Sequence, residues 1–184
     1  MLKYFSFRTQ VIFLIAVITV GIYTLILIGD SSKKHGPVFT EDGIIINYSD
    51  NKPYTGKVTD TVSNQIISYD VIDGIKNGEF TIAHLNGSKI VVGEIINNKN
   101  EGKWSYFYPN GKLESEGYFK NDDVVDKWTW FYPNGTKMEE GKYSDGKREG
   151  MWKLYNNDGS LKSTVLFQDG KVITSSSVKS PAAS

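Results

Sequence analysis

Apolar positions are distributed along this chain in two unlike ways. Val11 to Gly29 reads VIFLIAVITVGIYTLILIG, 19 residues without a charge. From residue 43 onward, apolar and polar residues instead alternate in short runs broken by Asn, Asp and Gly. A 19-residue helix is about 28 Å long, close to the ~30 Å hydrocarbon core of a bilayer. Residues 11–29 therefore read as a transmembrane helix, preceded by a tail over 1–10 and followed by a linker over 30–42. A cleaved secretory signal is the competing reading, with Lys3 and Arg8 as its basic region, and a soluble buried helix is a third. The apolar run is longer than the roughly 7–15 residues of a signal core. No small-residue cleavage pattern follows it in Ile28-Gly29-Asp30-Ser31-Ser32-Lys33. An uncleaved signal anchor is the expectation. Lys3, Arg8 and the terminal amine before the span, against Lys33 and Lys34 after it, lean weakly toward the N-terminus inside. The expected location is a single-pass inner-membrane protein with its remaining chain on the periplasmic side.

The rest of the chain is organised by a period of 24 residues. Asn86-Gly87, Asn110-Gly111, Asn134-Gly135 and Asp158-Gly159 form one series. Asp73-Gly74, Asn97-Asn98, Asn121-Asp122, Asp145-Gly146 and Asp169-Gly170 form a second, and Gly78, Gly102, Asp126 and Gly150 a third. Self-similarity at a fixed step takes precedence over local structure assignments. Asn-Gly between alternating apolar runs signals a hairpin. Each unit is expected to run strand, tight Asn-Gly turn, strand, looser Asp-Gly turn. Alternation puts Trp104, Tyr106 and Tyr108 on one face of a strand and Ser105 and Phe107 on the other. The next unit repeats this with Trp128, Trp130 and Tyr132 against Thr129 and Phe131. Val71, Ile95, Phe119, Tyr143 and Phe167 share one position on the returning strands. Trp104, Trp128 and Trp152 are expected to form a ladder that Phe80 opens. About a dozen strands between Ile44 and Ile173 give an all-β antiparallel meander, a domain over 43–173. The Ser/Ala/Pro-rich stretch 174–184 reads as a disordered tail.

Composition narrows what such a sheet can do. There are 21 Lys+Arg, 21 Asp+Glu, two histidines and no cysteine. Zero net charge excludes the basic footprint of a nucleic-acid binder. Without cysteine, and with only His35 and His84, there is no material for a thiolate zinc site, a His-rich metal site, a catalytic thiol or a histidine-based triad. No cofactor is expected and no enzymatic activity. Glu114, Glu116, Glu139 and Glu140 could be taken for a carboxylate pair. Beside Lys112 and Lys137, they read instead as a solvated strand face. The sequons at Asn86 and Asn134 follow from a hairpin turn before Ser or Thr and carry little information.

Gly141-Lys142-Tyr143-Ser144-Asp145-Gly146-Lys147-Arg148-Glu149-Gly150-Met151-Trp152 resembles a MORN repeat. The unit from Gly102 to Leu113, GKWSYFYPNGKL, resembles the bacterial MORN variant, a family often labelled antitoxin. The resemblance runs over roughly Gly43 to Val172. It implies an elongated, single-layer sheet of stacked hairpins that binds proteins or lipids and has no catalytic residues. Two departures stand out: Asp126 replaces the glycine that heads a unit, and Gly56 to Asn77 is two residues short, as a degenerate capping repeat would be.

Ten aromatics lie between Trp104 and Tyr132. They serve either as a partner-binding surface or as the only core available to a thin sheet. Candidate contact residues are Trp104, Tyr106, Phe107, Trp128, Trp130, Phe131, Trp152 and Tyr155. Among them the face carrying Phe107, Phe131 and Tyr155 is preferred for a protein partner. The expected function is a membrane-anchored scaffold or accessory subunit, in a narrower form an antitoxin or immunity protein. Lipid or envelope-polymer binding by the aromatic face is the alternative.

Overall fold

A computed structural model of the chain describes residues 38–178, and all of the regular structure among them is β. The transmembrane helix expected over 11–29 lies outside the described residues. Strands β1 (Val38–Glu41) and β2 (Ile44–Asn47) form a separate two-stranded sheet. Eleven more strands follow in one antiparallel sheet in which each strand pairs only with its sequence neighbours. They are β3 (Gly56–Val62), β4 (Gln65–Ile72), β5 (Ile75–His84), β6 (Lys89–Ile96), β7 (Lys99–Phe107) and β8 (Leu113–Lys120). After these come β9 (Asp123–Phe131), β10 (Lys137–Ser144), β11 (Lys147–Tyr155), β12 (Leu161–Gln168) and β13 (Lys171–Ser177). The meander and its step are as the sequence dictates; both ends differ. Strand β1 begins inside the stretch read as linker, and β13 continues to Ser177 in the stretch read as tail. Backbone pairing with β12, in which Ser175 faces Val165 and Ser177 faces Ser163, holds that serine-rich run in the sheet despite its composition.

The two turn series exchange roles. The Asp-Gly series makes the tight turns: Ile72 pairs with Ile75 across Asp73-Gly74, and Lys120 with Asp123 across Asn121-Asp122. Both central residues have positive φ, 51° and 74° in the second case. That geometry matches the twist of the flanking strands, and Asn, Asp and Gly adopt it at least cost. The Asn-Gly series makes the longer loops. At Tyr108-Pro109-Asn110-Gly111 the Gly111 amide donates to the Tyr108 carbonyl (2.8 Å) and the Tyr108 amide to the Lys112 carbonyl (2.8 Å). Proline, with its φ pre-set, follows the first residue of that turn, and the Asn110 side chain accepts from the Lys112 amide (3.0 Å). The same four-residue turn forms without proline at His84-Leu85-Asn86-Gly87 and Asn156-Asn157-Asp158-Gly159, so Pro109 and Pro133 suit the longer loop but are not what overrides the dipeptide rule.

Where one unit passes to the next, the register slips: Glu116 faces Thr129 but Tyr118 faces Val125. The slip recurs between Val92 and Glu94 and between Glu140 and Lys142. Such bulges bend the strands and increase twist. Each slip carries the residue that heads a unit, and that residue has positive φ: Gly102 at 64°, Gly150 at 69° and, in the departing unit, Asp126 at 55°. Asp126 thus keeps the backbone geometry at the steric cost that an L side chain bears there. Replacing Asp126 with glycine is expected to raise stability by about 0.5–1 kcal/mol. Its exposed contact with Lys142 at 3.9 Å offsets little of that gain. A rise in melting temperature for Asp126→Gly is the readout.

The first hairpin caps one end. Val38 and Ile45 pack on Val58 and Val71, with Tyr54 and Tyr69 around them. Backbone bonds from the Ile45 amide to Gly74 (2.9 Å) and from the Gly74 amide to Tyr54 (2.8 Å) fasten it to the first tight turn.

Candidate functional site

A single-layer sheet has no second layer to cover its side chains, so its core must be built on one face from groups that cover one another. Strand alternation and register place Phe80, Ile82, Val91, Ile95, Trp104, Tyr106, Phe119, Trp128, Trp130, Tyr143, Trp152 and Leu154 on one face, and all are buried. Trp128 and Trp152 are 1% and 0% exposed. Their rings run as a continuous row: Phe80 to Trp104 (5.5 Å between centroids), Trp104 to Phe119 (5.6 Å), Phe119 to Trp128 (5.4 Å) and Trp128 to Trp130 (5.7 Å). The row continues from Trp130 to Trp152 (5.7 Å) and from Trp152 to Phe167 (5.9 Å). Strand spacing alone would leave the three repeat tryptophans about 10 Å apart. The returning-strand aromatics Phe119 and Tyr143 close those gaps, mostly edge to face.

Each of these indoles lies on a glycine eleven residues earlier. Trp104 covers Gly93, Trp128 covers Gly117 and Trp152 covers Gly141, so closely that a Cβ on the glycine would fall inside the ring's van der Waals envelope. Trp104 Nε1 donates to the carbonyls of Glu94 (3.2 Å) and Glu101 (3.1 Å), and Trp152 Nε1 to that of Lys142 (3.2 Å). The rule inverts at the ends. Tyr69 faces Phe80, and Val165 faces Ser175, so the glycine disappears where no indole needs the space.

An ion pair interrupts this apolar face. Arg148 binds Glu139 in a short hydrogen-bonded contact, with both side chains largely buried. The guanidinium also lies 4.0 Å from the Trp152 ring centroid and 5.3 Å from that of Phe167. A planar, weakly hydrated cation suits that slot, where an ammonium would not. Burial raises the pKa of Tyr143 beside it, and the Arg148 charge opposes that rise.

The opposite face carries Phe107, Phe131 and Tyr155, all half-buried. Their backbones are tied by a second ladder, in which the Tyr108 hydroxyl donates to the Phe131 carbonyl (2.7 Å) and the Tyr132 hydroxyl to the Tyr155 carbonyl (2.9 Å). Glu140 sits at the centre of this face. It receives Lys127 (2.8 Å), Lys137 (2.9 Å) and the Tyr155 hydroxyl (2.7 Å). Burial pushes its pKa up, but the hydrogen bonds from Lys127, Tyr155 and Lys137 outweigh it and hold the carboxyl at about 2. Tyr155 is pushed up to about 12 by burial and by its bond to Glu140. A carboxylate whose pKa falls on folding stabilises the fold above its unfolded value, and that stability is lost as pH drops toward the folded value. With two half-exposed lysine partners the contribution is about 1–3 kcal/mol. Wild type is expected to melt above Glu140→Gln at neutral pH, with the gap closing between about pH 4.5 and 2. A gap that stays constant over that range would remove the cluster's electrostatic role.

Beside this cluster Tyr118 and Met151, 43% and 53% exposed, border a shallow depression edged by Lys127, Lys142 and Lys153. The eight expected contact residues thus divide between the faces. Trp104, Tyr106, Trp128, Trp130 and Trp152 are buried in the row and have little ring surface for a partner, lipid or polymer. Phe107, Phe131 and Tyr155 share the other face, with Tyr118 and Met151, which sequence reasoning did not single out. Glu139 and Glu140 are not solvated, as adjacency to lysine suggested. Being consecutive in β10 they point to opposite faces, one into the aromatic row and one into the lysine–tyrosine cluster. Arg148 had no distinguishing sequence signal, since its charge is ordinary in a turn-flanking strand.

The geometry defines a class: a one-layer repeat sheet with a self-covering aromatic face and an open opposite face. At residues 100–121, 127–145 and 148–169 the chain is similar to the MORN repeat variant. The resemblance read over Gly43 to Val172 is therefore found in the last three units. No curated protein matches the chain. A solved structure of an S. aureus TarM mutant, crystallised with fondaparinux, alpha-GlcNAc-glycerol and UDP, is similar over 64% of this chain at 12% identity and a TM-score of 0.34. This chain spans only 20% of that structure, and a likeness at that score carries no functional argument.

Proposed function

We propose that the chain is a membrane-anchored, non-catalytic repeat scaffold that binds a protein partner through the face carrying Phe107, Phe131 and Tyr155. One observation carries this reading: the sheet fills one face with its own aromatic row and leaves the other uncovered, with Tyr118 and Met151 standing out of it. An uncovered apolar patch rimmed by charge is the ordinary anatomy of a protein contact. The uncharged stretch 11–29 supports the anchor, and a single-pass inner-membrane location with the sheet outside follows from the weak charge bias around it. In its narrower form the scaffold is an antitoxin or immunity protein that blocks one toxic partner.

Affinity isolation of the full chain after mild detergent solubilisation is the test. A stoichiometric partner is expected with wild type and is lost when Tyr118 and Met151 are both changed to aspartate. Recovery of a lone monomer at native expression overturns the scaffold. For the narrower form, deletion of the gene is expected to be lethal unless a neighbouring toxin gene is also removed; harmless deletion with that neighbour active overturns it.

A further inference from the structure

The tight-turn edge of the sheet is chemically graded along the chain. Five register pairs flank the five tight turns at one and the same structural position. They are Ile72 with Ile75, Ile96 with Lys99, Lys120 with Asp123, Ser144 with Lys147 and Gln168 with Lys171. The later units build this turn from polar residues, so the geometry of the turn does not require isoleucine. Yet Ile72, Ile75 and Ile96 are 48%, 37% and 41% exposed. Ile44, at 41%, lies against Gly74 of the first of these turns. Consecutive turns are tied together, the Asn98 amide donating to the Lys76 carbonyl (3.0 Å). Four exposed isoleucines therefore gather on adjoining elements at one end of the edge; at the other end the turn is flanked by Gln168 and Lys171, and the exposed apolar residues there, Val172 and Ile173, lie beyond it on the last strand.

That end is also the one nearest in the chain to residues 11–29. Eight residues, 30–37, separate the uncharged stretch from Val38, a contour of at most about 29 Å. A surface tethered so closely to a bilayer meets it at high local concentration. Asp73 and Lys99, interspersed with the isoleucines, restrict the contact to the interface and keep it out of the hydrocarbon. We propose that Ile44, Ile72, Ile75 and Ile96 form the edge on which the β-domain rests against the lipid surface. The later units, whose turns are polar, then stand away from it. The proposal rests on the membrane-anchor reading above and adds an orientation to it.

The chain has no cysteine, so single labels are clean. Lys99→Cys and Lys171→Cys occupy the same turn position in the second and last units. Each full-length variant is spin-labelled and reconstituted in vesicles of phosphatidylethanolamine and phosphatidylglycerol. Collision with oxygen, which concentrates in lipid, is compared with collision with a water-soluble nickel chelate. The label at position 99 is expected to show an oxygen-to-nickel ratio several-fold above that at 171. Changing Ile72, Ile75 and Ile96 to serine, the residue the chain itself uses at Ser144, is expected to bring the ratio at 99 down to that at 171 while the chain still floats with the vesicles. Equal ratios in floating chain overturn the lipid-facing edge and leave the anchor standing. A label at 99 shielded from both reagents shows protein covering the edge and also overturns it. A chain that does not float overturns the anchor and the edge together.

Discussion

Replacing Gly117 with alanine is expected to lower stability by about 3 kcal/mol, near the upper end for an overpacked core, or roughly 6–12 °C in melting temperature for a chain of this size. The added methyl has no place to go, because the Trp128 indole lies directly on Gly117. Trp128 cannot retreat: it is in ring contact with Phe119, Trp130 and Tyr143. Two companion variants separate this contact from other glycine effects. Gly111→Ala faces open space at a φ of 79°, so its cost is conformational only, about 1 kcal/mol. Gly117→Ala combined with Trp128→Leu is expected to lose less than the sum of the two single changes, since the smaller side chain vacates the methyl's position. Additive losses in that cycle would show that the indole is not what demands glycine.

Arg148→Met carries the second large effect, a loss of about 3–5 kcal/mol. Removing the guanidinium takes away the hydrogen-bonded partner of a carboxylate that lies among indoles, where water cannot readily replace it. The same change removes the stack of Arg148 on Trp152. Arg148→Lys is expected to recover only part of the loss, because an ammonium cannot lie flat against the ring and bind Glu139 together. Glu139→Met in the Arg148→Met background is expected to restore much of the stability, since two apolar side chains of similar volume suit that face. A chemical denaturation series over the four proteins checks this; a double variant as unstable as Arg148→Met alone would count against the pair.

These two sites are unequally visible in the amino-acid sequence. Gly93, Gly117 and Gly141 recur every 24 residues, as do Trp104, Trp128 and Trp152, so their coupling is written there for anyone who compares the units. The end of the row is legible the same way, once Val165 is seen to replace the glycine and Ser176 the indole. The Arg148–Glu139 pair occurs in a single unit, and charged residues next to a turn look like surface. Only the register, which sets Tyr143 opposite Arg148 and Glu139 opposite Leu154, turns both toward the tryptophans.

The sequence by itself determined the architecture. A period of 24, turn residues that tolerate positive φ and strict alternation leave a neighbour-to-neighbour meander as the one arrangement that satisfies backbone pairing in every unit. Local chemistry suffices for this, because each strand pairs only with the strands beside it. Tertiary structure decided what depends on two strands at once. It assigned the tight turn to the Asp-Gly series and the longer loop to the Asn-Gly series, gave the consecutive Glu139 and Glu140 buried partners on their two faces, and kept a serine-rich run in the sheet through pairing with β12. It also showed which aromatics are consumed by the core. A side chain's face follows from alternation, but its exposure depends on what the neighbouring strand places over it, and bulges shift that register between units.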